Sequence, residues 1–159
     1  MQNNPAQQAA SQYILLFRSP KAEPVLSANN FAALADPILT DGLKQGYFSD
    51  ADCQAYLTAW AQPGALTGGL NWYRAARLGP PTKAEPKART FESDIAGGQV
   101  RVPTLVIWGE KDKAIVKENL DGLETYVSDL RVRRIPDGTH WVIHEQPALV
   151  NRHIREFIG

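Results

Sequence analysis

Through the first half of the chain, apolar positions recur at helical spacing and nowhere alternate as a strand would. Ala9, Tyr13, Leu16 and Phe17 fall at i, i+4, i+7 and i+8, one stripe on a single helix that Pro20 must end. Ser49 stands three residues before Asp52 and ahead of Tyr56, Leu57 and Trp60, an N-cap signature, and Pro63-Gly64 stops the helix it opens. A further helix carries Leu66, Leu70, Trp72 and Tyr73. Between Gly79 and Arg89, Pro80, Pro81 and Pro86 forbid regular helix, so this stretch reads as a linker or an exposed excursion.

After Gly97-Gly98 the pattern changes. Thr104 to Trp108 is a continuous apolar run, as expected of a parallel strand covered on both faces. Val116 to Val127 shows helical spacing, Leu130 to Ile135 alternates as a strand, and Pro147 to Ile158 is an amphipathic helix with proline in its first turn. The predicted order is β-α-β-α, which requires a right-handed crossover and a sheet with helices on both faces. Two parallel strands make only a marginal sheet, and so apolar a strand calls for neighbours that this stretch does not supply.

Composition narrows the function classes. With 43% hydrophobic and 21% charged residues, the 159-residue chain is of globular type. Its 17 basic and 17 acidic residues cancel, leaving no electrostatic footprint for nucleic acid or an anionic membrane. No apolar run approaches the roughly 20 residues that cross a bilayer. The N-terminus lacks signal-peptide grammar, and the single cysteine, Cys53, cannot form an internal disulfide. A soluble cytoplasmic protein acting on a small molecule is expected.

Each of the two strands runs into a loop bearing a proton-handling group: Trp108-Gly-Glu-Lys-Asp112 after the first, Gly138-Thr-His140-Trp141 after the second. Ligands gather beyond the C-terminal ends of parallel strands, and neighbouring strands would bring Asp112 and His140 together. A carboxylate beside a neutral imidazole fixes its tautomer and stabilises the imidazolium formed when the ring takes a proton. Taken alone, the pair is better explained by a helix cap and an ordinary loop histidine.

The surrounding residues favour the chemical reading. Pro103-Thr-Leu-Val-Ile-Trp-Gly-Glu-Lys-Asp112, followed by Ile135-Pro-Asp-Gly-Thr-His-Trp141 and Glu145-Gln-Pro147, resembles the closing segment of the α/β-hydrolase superfamily. The resemblance makes Asp112 the triad acid and His140 the triad base. Glu110, the competing acid, matches a variable position before the family's acid. Ser11-Gln-Tyr-Ile-Leu-Leu-Phe-Arg-Ser-Pro20 and Leu70-Asn-Trp-Tyr-Arg74 resemble the cap of the epoxide hydrolase branch, whose two substrate-facing tyrosines match Tyr13 and Tyr73. A phenol keeps its proton at neutral pH and can donate to the alkoxide released when an epoxide opens. Both tyrosines could instead simply pack.

The implied fold class is α/β, a partial α/β-hydrolase fold. Residues 1–78 would form a helical cap, 79–98 a connecting segment, and 99–159 the last two parallel strands with their helices. Trp72 and Trp60 are expected to wall the cavity or stiffen the cap, and Trp141 to pack behind the histidine. His144 and His153 read as helix residues, no metal or cofactor is implied, and Cys53, beside Asp50 and Asp52, is a bystander.

No Gly-x-Ser-x-Gly or Gly-x-Asp-x-Gly elbow occurs in the chain, so the expected nucleophile lies in a complementary N-terminal half. An aspartate there would make an epoxide hydrolase working through an ester, a serine an esterase, and an aspartate with a halide cradle a dehalogenase. The paired tyrosines favour the epoxide. A non-catalytic binding module is the alternative from another class, and the chain by itself is expected to be inactive.

Overall fold

The computed structural model describes residues 4–76, 79–83 and 98–159, so most of the expected connecting segment lies outside the described residues. Contacts divide the chain into two compact units. One joins residues 4–11 to 80–83 and 98–159, and the other spans residues 12–76 with Gly79.

The stripe from Ala9 to Phe17 does not lie on one helix. Helix α1 (Pro5–Ala10) stops at Ser11, and α2 (Tyr13–Arg18) begins anew. Asn4 caps α1 by accepting from Gln7 N at 3.0 Å, and Pro5 takes the first helical position. Ser11 is buried and leaves helical geometry at φ −93°, ψ 8° while its hydroxyl binds the Gln7 amide, so the two halves of the stripe serve different units.

In the helical unit, α3 (Ala22–Ala35) is interrupted at Ala28–Phe31. Asn29, Asn30 and Phe31 take φ of 50°, 55° and 62°, a left-handed region that asparagine tolerates better than most residues. A π-helical turn, Asp36–Thr40, leads into α4 (Asp41–Gln45), which Gly46 ends at φ 77°. Helix α5 (Asp50–Trp60) opens on the expected cap: Ser49 Oγ accepts from Asp52 N at 3.2 Å and Asp52 Oδ2 from Ser49 N at 2.8 Å. Helix α6 (Ala65–Ala75) carries Leu70 into a core with Ala22 and Leu26, flanked by Leu16, Phe17, Leu34 and Leu66.

A two-pronged ion pair ties α6 to α3. Arg74 Nη1 and Nη2 each lie 2.7 Å from a Glu23 oxygen, and Thr67 donates to the same carboxylate at 3.3 Å. The guanidinium holds the Glu23 carboxyl down from an ordinary 4.5 to about 2.

In the other unit, β1 (Thr104–Gly109) and β2 (Leu130–Ile135) pair in parallel from Thr104 opposite Leu130 to Gly109 opposite Ile135. Both strands fall where the apolar patterns predict them. Helix α7 (Val142–Glu145) and α8 (Pro147–Ile158) follow, burying Ile135, Val142 and Val150 against Ile107 and Leu149. Arg131 lies over the Phe157 ring of α8, 5.3 Å from its centroid. Among the described residues β1 pairs only with β2, and Thr104 to Trp108 are half-buried although their sequence is that of a fully covered strand.

The helix expected over 116–127 does not form. Two 3-10 turns, Lys117–Leu120 and Leu123–Thr125, make the crossover instead. Asp121 turns extended and Gly122 adopts φ 83°, which breaks any continuous i to i−4 ladder at its centre. No helix among the described residues is long and apolar enough to cross a membrane.

Candidate active site

The loops after β1 and β2 are held together by backbone before any side chain contributes. Glu110 N donates to Ile135 O at 3.0 Å, and Lys111 N to Gly138 O at 2.9 Å. Gly109 makes this approach possible, because a β-carbon there would press on Thr139 O and stand 2.5 Å from Gly138 O. Gly138 is needed on the other side, where a β-carbon would meet Val142 Cγ2 at 2.6 Å and Gly109 Cα at 3.2 Å.

This seam brings Asp112 and His140 into contact across 28 positions of sequence. Asp112 Oδ2 lies 2.9 Å from His140 Nδ1. The other carboxylate oxygen accepts from Ala114 N at 2.8 Å and Ile115 N at 2.9 Å, so each oxygen has its own partners. A carboxylate accepts only, so Nδ1 carries the shared proton, and Nε2 on the far side of the ring is left as the basic nitrogen. The Asp112 side chain is 10% exposed against 38% for His140, which puts the acid inside and the base at the surface. Trp141 meets the imidazole edge-on at 5.0 Å between ring centroids.

Glu110, the competing acid, points elsewhere and pairs with Arg134 Nη1 of β2 at 2.9 Å. Lys111 and Asp137 bridge the rims of the two loops at 2.8 Å; each charge favours the other, raising the Lys111 pKa and lowering that of Asp137. His144 lies in α7, and His153, in α8, stands 3.5 Å from Glu156. Among the described residues no three His, Cys, Asp or Glu side chains cluster as a metal site would require.

Tyr13 and Tyr73 come together within the helical unit. Their ring centroids are 6.1 Å apart and edge-to-face, with Phe17 against both at 5.2 and 4.9 Å. Trp72 packs edge-on against Tyr73 at 4.9 Å but is 62% exposed, and Trp60 joins Tyr56 and Phe31 in a separate aromatic row. Cys53 is a free, half-buried thiol in α5.

Two supports were not visible in the sequence. Glu145 Oε2 accepts from Thr139 N at 2.7 Å while Oε1 takes the Thr139 hydroxyl, and that hydroxyl accepts from Trp141 N at 3.2 Å, so the residues on both sides of His140 are pinned. Buried Gln7, from α1, is hydrogen-bonded into the segment that follows Asp112. Glu145 belongs to the motif that carries the family resemblance but had no role there, and nothing in the pattern around Gln7 marked it.

A strand-loop acid and histidine on parallel neighbours, joined by a short crossover, are what the closing segment of one superfamily requires, and the comparisons agree. The chain is 33% identical over 156 residues to the AB hydrolase superfamily protein YfhM of Bacillus subtilis, covering 97% of this chain and 50% of that protein. No family model matches. The chain belongs to the α/β-hydrolase superfamily.

Its relatives lie on the epoxide hydrolase side. Epoxide hydrolase 3 of Xenopus tropicalis is 31% identical over 162 residues, 98% of this chain and 41% of that protein. The solved structure of a point mutant of an epoxide hydrolase from Bacillus megaterium matches with a TM-score of 0.84 at 30% identity, over 98% of this chain and 54% of that one. The chain spans about half the length of the relatives it matches.

Proposed function

We propose that this chain supplies the acid, the base and the oxygen-holding tyrosines of an epoxide hydrolase, and that an aspartate nucleophile comes from a complementary N-terminal half. The carrying observation is the 2.9 Å bond from Asp112 Oδ2 to His140 Nδ1, which leaves Nε2 as the proton acceptor. Epoxide hydrolases among the relatives support the substrate class, as does the Bacillus megaterium enzyme, a second mutant of which was solved with a naphthyloxy-propanediol product. The cytoplasm suits a chain whose one thiol, Cys53, is unbridged.

In this reading the aspartate attacks an epoxide carbon, the C–O bond breaks, and Tyr13 or Tyr73 protonates the departing oxygen. His140 Nε2 then takes a proton from water, the hydroxide attacks the ester carbonyl, and the diol leaves with the carboxylate restored. The imidazolium, stabilised by Asp112, releases its proton to solvent and the tyrosinate regains one, so epoxide plus water gives diol with the protein unchanged. The adjacency of the two phenols supports a shared oxygen site.

The test mixes the purified chain with a matching N-terminal half bearing a Gly-x-Asp-x-Gly elbow and follows epoxide-to-diol turnover. Turnover should need both halves and vanish in His140→Ala. Asp112→Asn should slow it by about three to four orders of magnitude through the wrong imidazole tautomer. A folded mixture without turnover refutes the proposal in favour of a binding module.

A further inference from the structure

Gln7 sits in a helix with no chemistry of its own, yet it is 2% exposed and uses every hydrogen-bonding position of its amide. Nε2 donates to Ser11 Oγ and to Ala114 O, both at 2.9 Å. Oε1 accepts from Val116 N at 2.9 Å and from Asn119 Nδ2 at 2.7 Å. Two donors and two acceptor lone pairs are the full capacity of a primary amide. The orientation is therefore determined: turning the amide over would set Nε2 against two donors and Oε1 against the Ala114 carbonyl.

The peptide unit between Ala114 and Ile115 links this amide to the candidate acid. Its carbonyl oxygen accepts from Gln7, and its N–H, on the same rigid plane, donates to Asp112 Oδ1 at 2.9 Å. A trans peptide points these groups in opposite directions, so one plate is held at one pole by Gln7 and at the other by Asp112. Hydrogen bonds in such a chain also polarise one another, strengthening the donor end when the acceptor end is engaged. The next N–H, that of Val116, returns to Gln7, so the plate cannot swing without breaking bonds on both sides.

We propose that Gln7 is a positioning residue for the Asp112–His140 pair: by clamping the 114–119 segment, it fixes the two backbone donors that aim the Asp112 carboxylate at His140 Nδ1. The catalytic part of this inference rests on the hydrolase reading above; the clamp does not. Gln7→Met keeps the length of the side chain and removes all four bonds. Gln7→Glu keeps the two accepted bonds and sets a carboxylate against the Ala114 carbonyl, so it attacks the plate selectively.

The experiment is NMR on the 159-residue chain, reading amide hydrogen exchange at Ala114 and Ile115 and the downfield Nδ1–H signal of His140. In both variants exchange at these two amides should quicken by about tenfold or more, the effect of losing one or two neutral hydrogen bonds, and the Nδ1–H signal should broaden or vanish. Val106 in β1 and Val132 in β2 should keep their protection. Unchanged exchange and an unchanged signal overturn the proposal. So does a loss spread equally over Val106 and Val132 in both variants, since that marks a general stabiliser.

A kinetic arm separates this inference from the function. With the complementing half, Gln7→Met should lower kcat for ester hydrolysis by up to about a hundredfold, as a misplacement near 1 Å does, and leave ester formation unaltered. Absence of wild-type turnover would sink the hydrolase reading while the NMR result still decides the clamp.

Discussion

Gly109→Ala should both destabilise the strand unit and separate the acid from the base. The added methyl would lie 2.5 Å from Gly138 O and closer still to Thr139 O, both backbone atoms that cannot swing aside as a side chain can. Real β-carbons almost never approach an atom within 3.0 Å, so the loops must part by at least about 0.5 Å. A parting of that size along the Asp112–His140 vector would stretch a 2.9 Å bond to about 3.4 Å, beyond good hydrogen-bond geometry. Overpacking of this kind costs about 1–3 kcal/mol, and each kcal/mol lowers Tm by roughly 4–8 °C in a unit this small. The assay pairs a thermal melt followed by near-ultraviolet circular dichroism with the His140 Nδ1–H signal. Gly138→Ala should do less, because its shortest clash is with a side-chain methyl of Val142 and not with backbone oxygens. A Gly109→Ala chain with wild-type Tm and an intact Nδ1–H signal would refute the idea that these glycines set the geometry.

Acid should weaken the helical unit through Glu23. Its pKa is depressed by Arg74 to about 2, so its stabilisation is present above pH 4.5 and is lost as pH falls from there towards 2. Urea midpoints measured from about pH 5 to 2 should fall in the wild type and flatten in Glu23→Gln; parallel curves would refute the assignment. In the left-handed turn, Asn30→Gly should be neutral or stabilising, whereas Asn30→Val should cost about 1–2 kcal/mol, read by chemical unfolding, because a branched side chain resists φ 55°.

Where a short stretch of chain decides its own structure, reading the sequence sufficed. The apolar run Thr104 to Trp108, the alternation from Leu130 to Ile135, the Ser49 box and the proline-led helix from Pro147 all form as their residues predict. Pattern failed where distant groups compete with local preference. The helical spacing of Val116 to Val127 gives way because Gly122 turns left-handed and Asn119 commits its side chain to Gln7 and Val116 O. The stripe from Ala9 to Phe17 breaks at Ser11, beside a buried Gln7 whose side chain is committed to Ala114, Val116 and Asn119.

The chemistry divides in the same way. The sequence by itself determined the two strands and set Asp112 and His140 at their ends, because hydrophobic periodicity and turn residues act over a few positions. Only the tertiary structure decided that Gly109 and Gly138 set the separation of the loops, and that Glu145 and Gln7 brace them. Such hydrogen bonds need two groups brought within about 3 Å, and spacing along the chain carries no record of distances that folding alone creates.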